Sequence, residues 1–253
     1  MNDTNQPPQL PSPHAPPPTP APLGEETGDN DAIKRPTDAV ESMLRHPRRL
    51  IHQLSQTGGG SLILMIAMLG VACAIVYGLV IGSFSGGTQW WAAPVKLAGG
   101  LLVAGLICLP SLYIFACLSG SSARLIEVAG LVFGLILLMT LLLMGFAPVA
   151  WVFSQSTSSV VGMGVLHLGF GLVALFFGMR FLRQGFAWLN TPFSSGIGVW
   201  MVIFTLVVVQ MTTALRPIIG TADTFLPTEK KFFLVHWVEQ MSGDSNYARS
   251  TER

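Results

Sequence analysis

Long apolar runs separated by short polar breaks fill most of the chain between residues 58 and 215. A helix needs about 20 mostly apolar residues to cross about 30 Å of hydrocarbon. The runs predict five such spans, at about 61–82, 93–118, 125–147, 159–181 and 196–215. We therefore expect an all-α fold, a polytopic membrane helix bundle with about five transmembrane helices, flanking interfacial helices and a disordered Pro-rich N-terminal tail.

The breaks between spans carry the residues that end membrane helices. Glycines and the Trp90-Trp91 pair separate the first two spans, and we expect an interfacial turn there. Pro148 and the polar run 154–159 separate the third span from the fourth. The five spans together form the predicted bundle at 58–215.

The chain before the first span divides into two parts. Residues 1–36 hold nine prolines between positions 7 and 22, which predicts a disordered cytoplasmic tail that is either a flexible spacer or a PxxP-type ligand. Residues 37–57 place apolar side chains at helical spacing beside Arg45, Arg48 and Arg49. This pattern predicts a basic amphipathic helix on the membrane surface, kinked at Pro47, whose arginines anchor it to anionic headgroups.

The segment at 216–253 follows the last span. Its apolar residues around Trp237 recur at helical spacing, but the run 232–238 is only seven residues long and is too short to cross a bilayer. We expect an extracytoplasmic segment with a second interfacial helix.

The orientation follows from the arginines. Loops at about 83–92 and 148–158 carry no charge, whereas the segments on the other side of the membrane carry arginines, at positions 45, 48, 49, 124, 180 and 183. Positive residues favour the cytoplasmic side. The pattern predicts a cytoplasmic N-terminus and, since five spans are odd, a C-terminus outside.

Composition excludes a soluble protein. Hydrophobic residues make up 51% of the chain and charged residues 11%, and the mean hydropathy is +0.57. The net charge of +1 and the lack of a basic stripe argue against a nucleic-acid partner. Three cysteines lie in apolar runs without a CxxC pair, so we expect no metal and no cofactor.

Enzyme motifs are missing from the sequence. It contains no GxSxG, HExxH or phosphate-binding loop, and no Asp or Glu between Glu127 and Asp223. We therefore expect a non-enzymatic scaffold or subunit of a membrane assembly, with a protein partner or a homo-oligomer besides the lipid bilayer. A small transporter or channel is the alternative, although no inverted repeat supports it.

His167 is the candidate intramembrane polar site, because it lies about eight positions into the fourth span. Ionisable groups at membrane depth are costly and often functional. One hypothesis gives His167 a proton-relay or ligand role. The other, which we favour, is an interhelical hydrogen bond to a Ser, a Thr or a backbone carbonyl, because no second His, Asp or Glu lies at that depth.

Glycines are the candidate helix-packing residues. The fourth span carries one seam at Gly164, Gly171 and Gly178 and another at Gly162 and Gly169. Small residues let helices approach closely in membranes, so we expect the fourth span to be central and Gly171→Leu to destabilise the fold. In the third span, Gly130 and Gly134 form a further small-xxx-small step.

Four more residues are candidate interfacial anchors. Trp90, Trp91 and Trp237 are of the type that gathers at the membrane boundary. Lys96 lies a few residues inside the second span, and its long stem should reach the outer headgroups.

The last quarter of the chain resembles a group of uncharacterised bacterial polytopic inner-membrane proteins. The residues that carry this resemblance are Gln210, Met211, Leu215, Arg216, Pro217, Ile218, Ile219 and Gly220, with Phe232 and Phe233 downstream. The resemblance implies a bacterial inner membrane and a periplasmic C-terminal segment, and it implies no activity.

Overall fold

A computed structural model describes residues 23–26, 28–56, 59–87, 89–157, 159–191 and 195–214. Within these ranges the chain is all-α, as predicted, and contains no strand. The helices are α1 (Pro36–Arg45), α2 (Pro47–Ser55), α3 (Gly59–Ser85), α4 (Gln89–Leu118), α5 (Leu125–Ser156), α6 (Val160–Trp188) and α7 (Ser195–Ala214).

The helices α3, α4, α5 and α6 are each long and apolar enough to cross a membrane. They coincide with the first four predicted spans, and the chain is therefore an α-helical membrane protein. The fifth predicted span coincides with α7, whose apolar part, Ser195–Met211, is shorter.

Two predicted turns are much shorter than expected. The helix α4 begins at Gln89 and includes the tryptophan pair, and α5 continues through Pro148 to Ser156. A broken helix would leave several backbone groups unpaired in lipid, whereas one proline removes a single hydrogen bond. The helix α5 therefore ends only at its serines, where Ser156 Oγ donates to the carbonyl of Phe153 at 3.1 Å.

The helix α5 is the centre of the bundle. In its most apolar stretch 72% of the residues are buried, against 33% in α3, 33% in α4 and 39% in α6. It packs against α3, α4 and α6, whereas α6 packs mainly against α5. The expectation that the fourth span is central is therefore wrong, because leucines and isoleucines of α5 supply the core that the other helices cover.

Close contacts hold α3 to both of its neighbours. A β-carbon on Gly70 would lie 3.6 Å from Leu137 Cα, and one on Gly78 would lie 2.9 Å from the backbone nitrogen of Pro94. The two helix backbones are so close at Gly78 that no side chain fits there. These glycines fix the positions of α5 and α4 against α3.

The helices α1 and α2 form a hairpin, broken at His46, that packs on one end of the bundle. We call this end the hairpin end. Ile51 and Leu54 are fully buried there, against Gly185 of α6 and Gly130 of α5. The apolar side of the hairpin was expected to face lipid, but it covers protein, because α5 and α6 extend far enough to meet it.

Residues 23–26 and 28–35 lie beside α2, and Asp29, Asp31 and Ile33 make hydrogen bonds to it. The predicted boundary of a disordered tail at residue 36 is therefore too late in the chain. The proline-rich positions 7–22 lie outside the described residues, as do Trp237 and the rest of the C-terminal segment.

Candidate functional site

A tyrosine and a histidine meet inside the bundle between α3 and α6. Tyr77 Oη lies 2.7 Å from His167 Nδ1, and the two rings meet edge to face with centroids 5.5 Å apart. Both side chains are buried. His167 therefore faces protein and makes an interhelical hydrogen bond, but its partner is a tyrosine, not the Ser, Thr or carbonyl that we expected.

The second ring nitrogen of His167 is unusual. Nε2 is fully buried and has no hydrogen-bond partner among the described residues. One helical turn further on, Phe170 stacks on Phe146 of α5 with ring centroids 4.6 Å apart. A buried polar atom without a partner costs about 1 to 3 kcal/mol, so the site tolerates an unfavourable group at membrane depth.

Lys96 is buried within the protein. It is only 2% exposed, and Ala92, Ala93 and Gly100, which lie on the same face of α4, are buried with it. Small residues at i−4, i−3 and i+4 leave room for the lysine stem along the packed face of the helix. The expected snorkelling anchor is thus a buried residue.

The glycines of α6 divide into two groups. A β-carbon on Gly178 would lie 3.0 Å from Met139 and 3.2 Å from Leu135, both on α5. Apart from the nearby backbone of α6 itself, no atom of the described chain lies within 4 Å of such a carbon on Gly169 or Gly171. Gly162 meets only its own helix cap at Ser159. Close packing was expected at all of these positions. Within this chain it occurs at Gly178, because α6 follows α5 closely only toward the hairpin end.

The other candidate glycines lie as follows. Gly164 is partly buried on α6. Gly130 is covered by Leu54, whose Cδ2 would lie 2.9 Å from an added β-carbon, and Gly134 is covered by Phe181 Cε1 at 2.8 Å. Gly130 and Gly134 are therefore covered by side chains of α2 and α6, and no helix backbone packs directly against them.

Arg48 is an internal ion-pair residue. It is 7% exposed, and its Nε lies 3.0 Å from Asp29 Oδ2 while Nη1 lies 3.3 Å from Glu26 Oε1. Asp29 also accepts the backbone N–H of Gly24 at 3.0 Å. Burial opposes the charge of Asp29, but the hydrogen bonds from Arg48 and Gly24 outweigh it, so the pKa of this carboxyl lies below its usual value.

The remaining arginines of the hairpin have different roles. Arg49 Nε donates to the carbonyl of Asp31 at 2.8 Å, so it also holds the segment before α1. Arg48 and Arg49 therefore bind protein groups, not the lipid headgroups expected for them. Arg45 is exposed, and its Nη1 lies 3.7 Å from Glu41 Oε1. Of the three arginines predicted as anchors, it is the one whose side chain faces outward.

Arg124 joins the hairpin to the start of α5. Its Nη2 donates to Glu127 Oε1 at 3.1 Å and to the carbonyl of Ser55 at the end of α2. Glu127 Oε2 also accepts the backbone N–H of Arg124 at 2.7 Å. Trp90 and Trp91 are exposed at the other end, in the first turn of α4.

Sequence reasoning missed Tyr77 and two packing glycines of α3. The signal was present, since Gly70, Ala74 and Gly78 form two consecutive small-xxx-small steps in the first span. Tyr77 is a polar residue inside the same apolar run. Neither feature shows which helix faces it, so the pairing with His167 required the tertiary structure.

Comparisons of the chain with family models, with curated proteins and with solved structures found no match.

Proposed function

We propose that the chain is a non-enzymatic subunit or scaffold of a membrane assembly. The observation that carries this proposal is the continuity of the membrane helices. The helix α4 runs unbroken through Pro94 and Pro110, and α5 does so through Pro148. Transporter sites form where membrane helices are broken and free backbone groups line a cavity. Continuous, well-packed helices favour a structural role.

The face of α6 that points away from α5 is the surface we propose for assembly. Gly162 and Gly169 lie seven residues apart, and the described chain places no neighbouring helix over them. Exposed glycines leave room for another helix backbone to approach closely. A protein partner or a second copy of the chain fits this face.

A small transporter or channel is the second candidate function. Two buried ionisable residues favour it, namely His167 with its unpartnered Nε2 and the buried Lys96. Such residues in a membrane bundle often line a path for protons or ions.

We further propose a bacterial inner membrane, with the hairpin end in the cytoplasm. The arginines of the described residues lie near that end, at positions 35, 45, 48, 49, 124, 180 and 183. The resemblance of residues 210–220 to bacterial inner-membrane proteins agrees with this placement.

Purification in mild detergent tests the assembly role. The wild-type chain should elute as a complex heavier than a monomer, and Gly169→Leu should disperse that complex without lowering the melting temperature. Val202→Phe, at an exposed position of α7, adds bulk elsewhere and should leave the complex intact. A monomeric wild-type protein that conducts protons in liposomes, and stops conducting in His167→Gln, would favour the transporter instead.

A further inference from the structure

A groove of about 440 Å³ lies between α1 and α3 at the hairpin end. Its apolar lining residues, which we call the floor, are Pro36, Val40, Leu44 and Leu69. Leu44 is 56% exposed, so the floor is open to the surroundings.

The groove lies at the level where the bilayer core begins. About 20 residues cross the hydrocarbon, and counting them back from the end of α3 at Ser85 places the other boundary near residue 65. Leu69 therefore lies just inside the apolar layer, and Val40 and Leu44 of α1 line the groove beside it. An acyl chain of a lipid reaches this floor directly from the membrane.

The rim of the groove carries one charge of each sign. Arg45 Nη1 and Glu41 Oε1 are 3.7 Å apart, and more than half of each side chain is exposed. Thr37 adds a hydroxyl to the same rim. A long, exposed ion pair contributes little to stability, so each partner is available to a ligand at little cost.

We propose that this groove binds one phospholipid whose headgroup carries both a phosphate and a primary ammonium, as in phosphatidylethanolamine. The Arg45 guanidinium donates hydrogen bonds to the phosphate, and the ammonium donates to the Glu41 carboxylate. One acyl chain lies over Leu44 and Leu69. The charges match in number, because the headgroup and the rim each carry one charge of each sign.

The headgroup chemistry separates this lipid from its relatives. Phosphatidylglycerol offers an anion but no cation for Glu41. Phosphatidylcholine carries a quaternary ammonium, which has no N–H to donate. A preference for phosphatidylethanolamine over both is therefore the specific expectation.

Native mass spectrometry of the full chain in detergent, titrated with the three lipids bearing identical acyl chains, tests the proposal. The wild-type chain should retain one phosphatidylethanolamine in preference to the others. Arg45→Gln should weaken this binding about tenfold, as expected for loss of a charged hydrogen bond. Glu41→Gln should equalise phosphatidylethanolamine and phosphatidylcholine, and Leu44→Ser should weaken all three lipids.

Two exposed positions provide matched controls, Glu25→Gln for the loss of a charge and Leu118→Ser for the loss of an exposed leucine. Both should bind lipid as the wild type does. Equal retention of the three lipids, a preference for phosphatidylglycerol, or wild-type binding by Arg45→Gln and Glu41→Gln would each overturn the proposal. A dimer that Leu44→Ser disperses, without any retained lipid, would assign the groove to a second copy and would also overturn it.

Discussion

The two halves of α6 are held in different ways, although glycines recur in both. Toward the hairpin end, an added β-carbon on Gly178 would press on Leu135 and Met139, and one on Gly185 would lie 3.1 Å from Ile51. Toward the opposite end, Gly171 has open space. There the contacts of α6 are the hydrogen bond between His167 and Tyr77 and the stacking of Phe170 on Phe146.

This difference shows that a glycine repeat does not by itself indicate close packing against a neighbouring helix. The glycines at 164, 171, 178 and 185 are spaced seven residues apart and therefore lie along one side of the helix. Gly178 and Gly185, near the hairpin, have neighbours close enough to exclude a side chain, whereas Gly171 has open space. Steric interlocking holds one half of α6, and a few directional contacts hold the other.

The largest expected effect is at the interlocked half. Gly185→Leu places a large side chain against Leu131 of α5 and Ile51 of α2, so the helices must separate or their rotamers must strain. Overpacking of this kind costs about 1 to 3 kcal/mol. Thermal unfolding of the purified protein in one detergent should show a clear drop in melting temperature.

Gly171→Ala is the comparison variant at the open half of α6. Its β-carbon meets no atom within 4 Å, and alanine favours the helix by about 1 kcal/mol over glycine, so the melting temperature should stay constant or rise. This revises the expectation that bulk at Gly171 destabilises the fold. Equal losses at both positions would mean that α6 is packed uniformly, and the comparison would fail.

A smaller effect is expected at the other half. Tyr77→Phe removes the hydroxyl that lies 2.7 Å from His167 Nδ1. Interhelical hydrogen bonds in membranes contribute about 0.6 to 1.7 kcal/mol, so the loss of stability should lie in that range. Equilibrium unfolding in mixed micelles gives the value.

A double-mutant cycle isolates the bond between these two side chains. Tyr77→Phe and His167→Phe are measured singly and together, and the coupling energy should be close to the loss seen in Tyr77→Phe. A coupling energy of zero would show that this hydrogen bond does not stabilise the packing of α6 against α3 at the end opposite the hairpin.

The smallest effect on global stability concerns the segment before α1. Because the pKa of Asp29 is lowered in the folded state, its ion pair stabilises the fold above the usual value of 3.8 and loses this contribution as the pH falls through the lowered pKa. Hydrogen exchange, corrected for intrinsic rates, should show that residues 28–35 lose protection below pH 3.8 while α5 stays protected.

Asp29→Asn should reproduce this loosening at pH 7, because the neutral amide cannot pair with Arg48. Asp31→Asn changes an exposed carboxyl nearby and should leave the segment protected. Loosening by both variants alike would assign the effect to general charge, not to the pair with Arg48.

Much of the fold follows from local patterns. The apolar runs place the starts of α3 to α6 within four residues, since a membrane helix needs a minimum apolar length, although α5 and α6 end nine and seven residues later than predicted. Pro47 marks the break between α1 and α2. The candidate site was predicted only in part. His167 was identified as a polar group facing protein, but its partner Tyr77 lies 90 positions away.

The sequence by itself determined that this is a helical membrane protein, because hydropathy is a property of each segment alone. Only the tertiary structure decided which glycines meet a neighbour, that α5 and not α6 is central, and that Arg48 and Lys96 are buried. Each of these depends on which helix lies across from which. Helices of similar apolar length can pack in many orders, and close contacts between specific side chains select one of them.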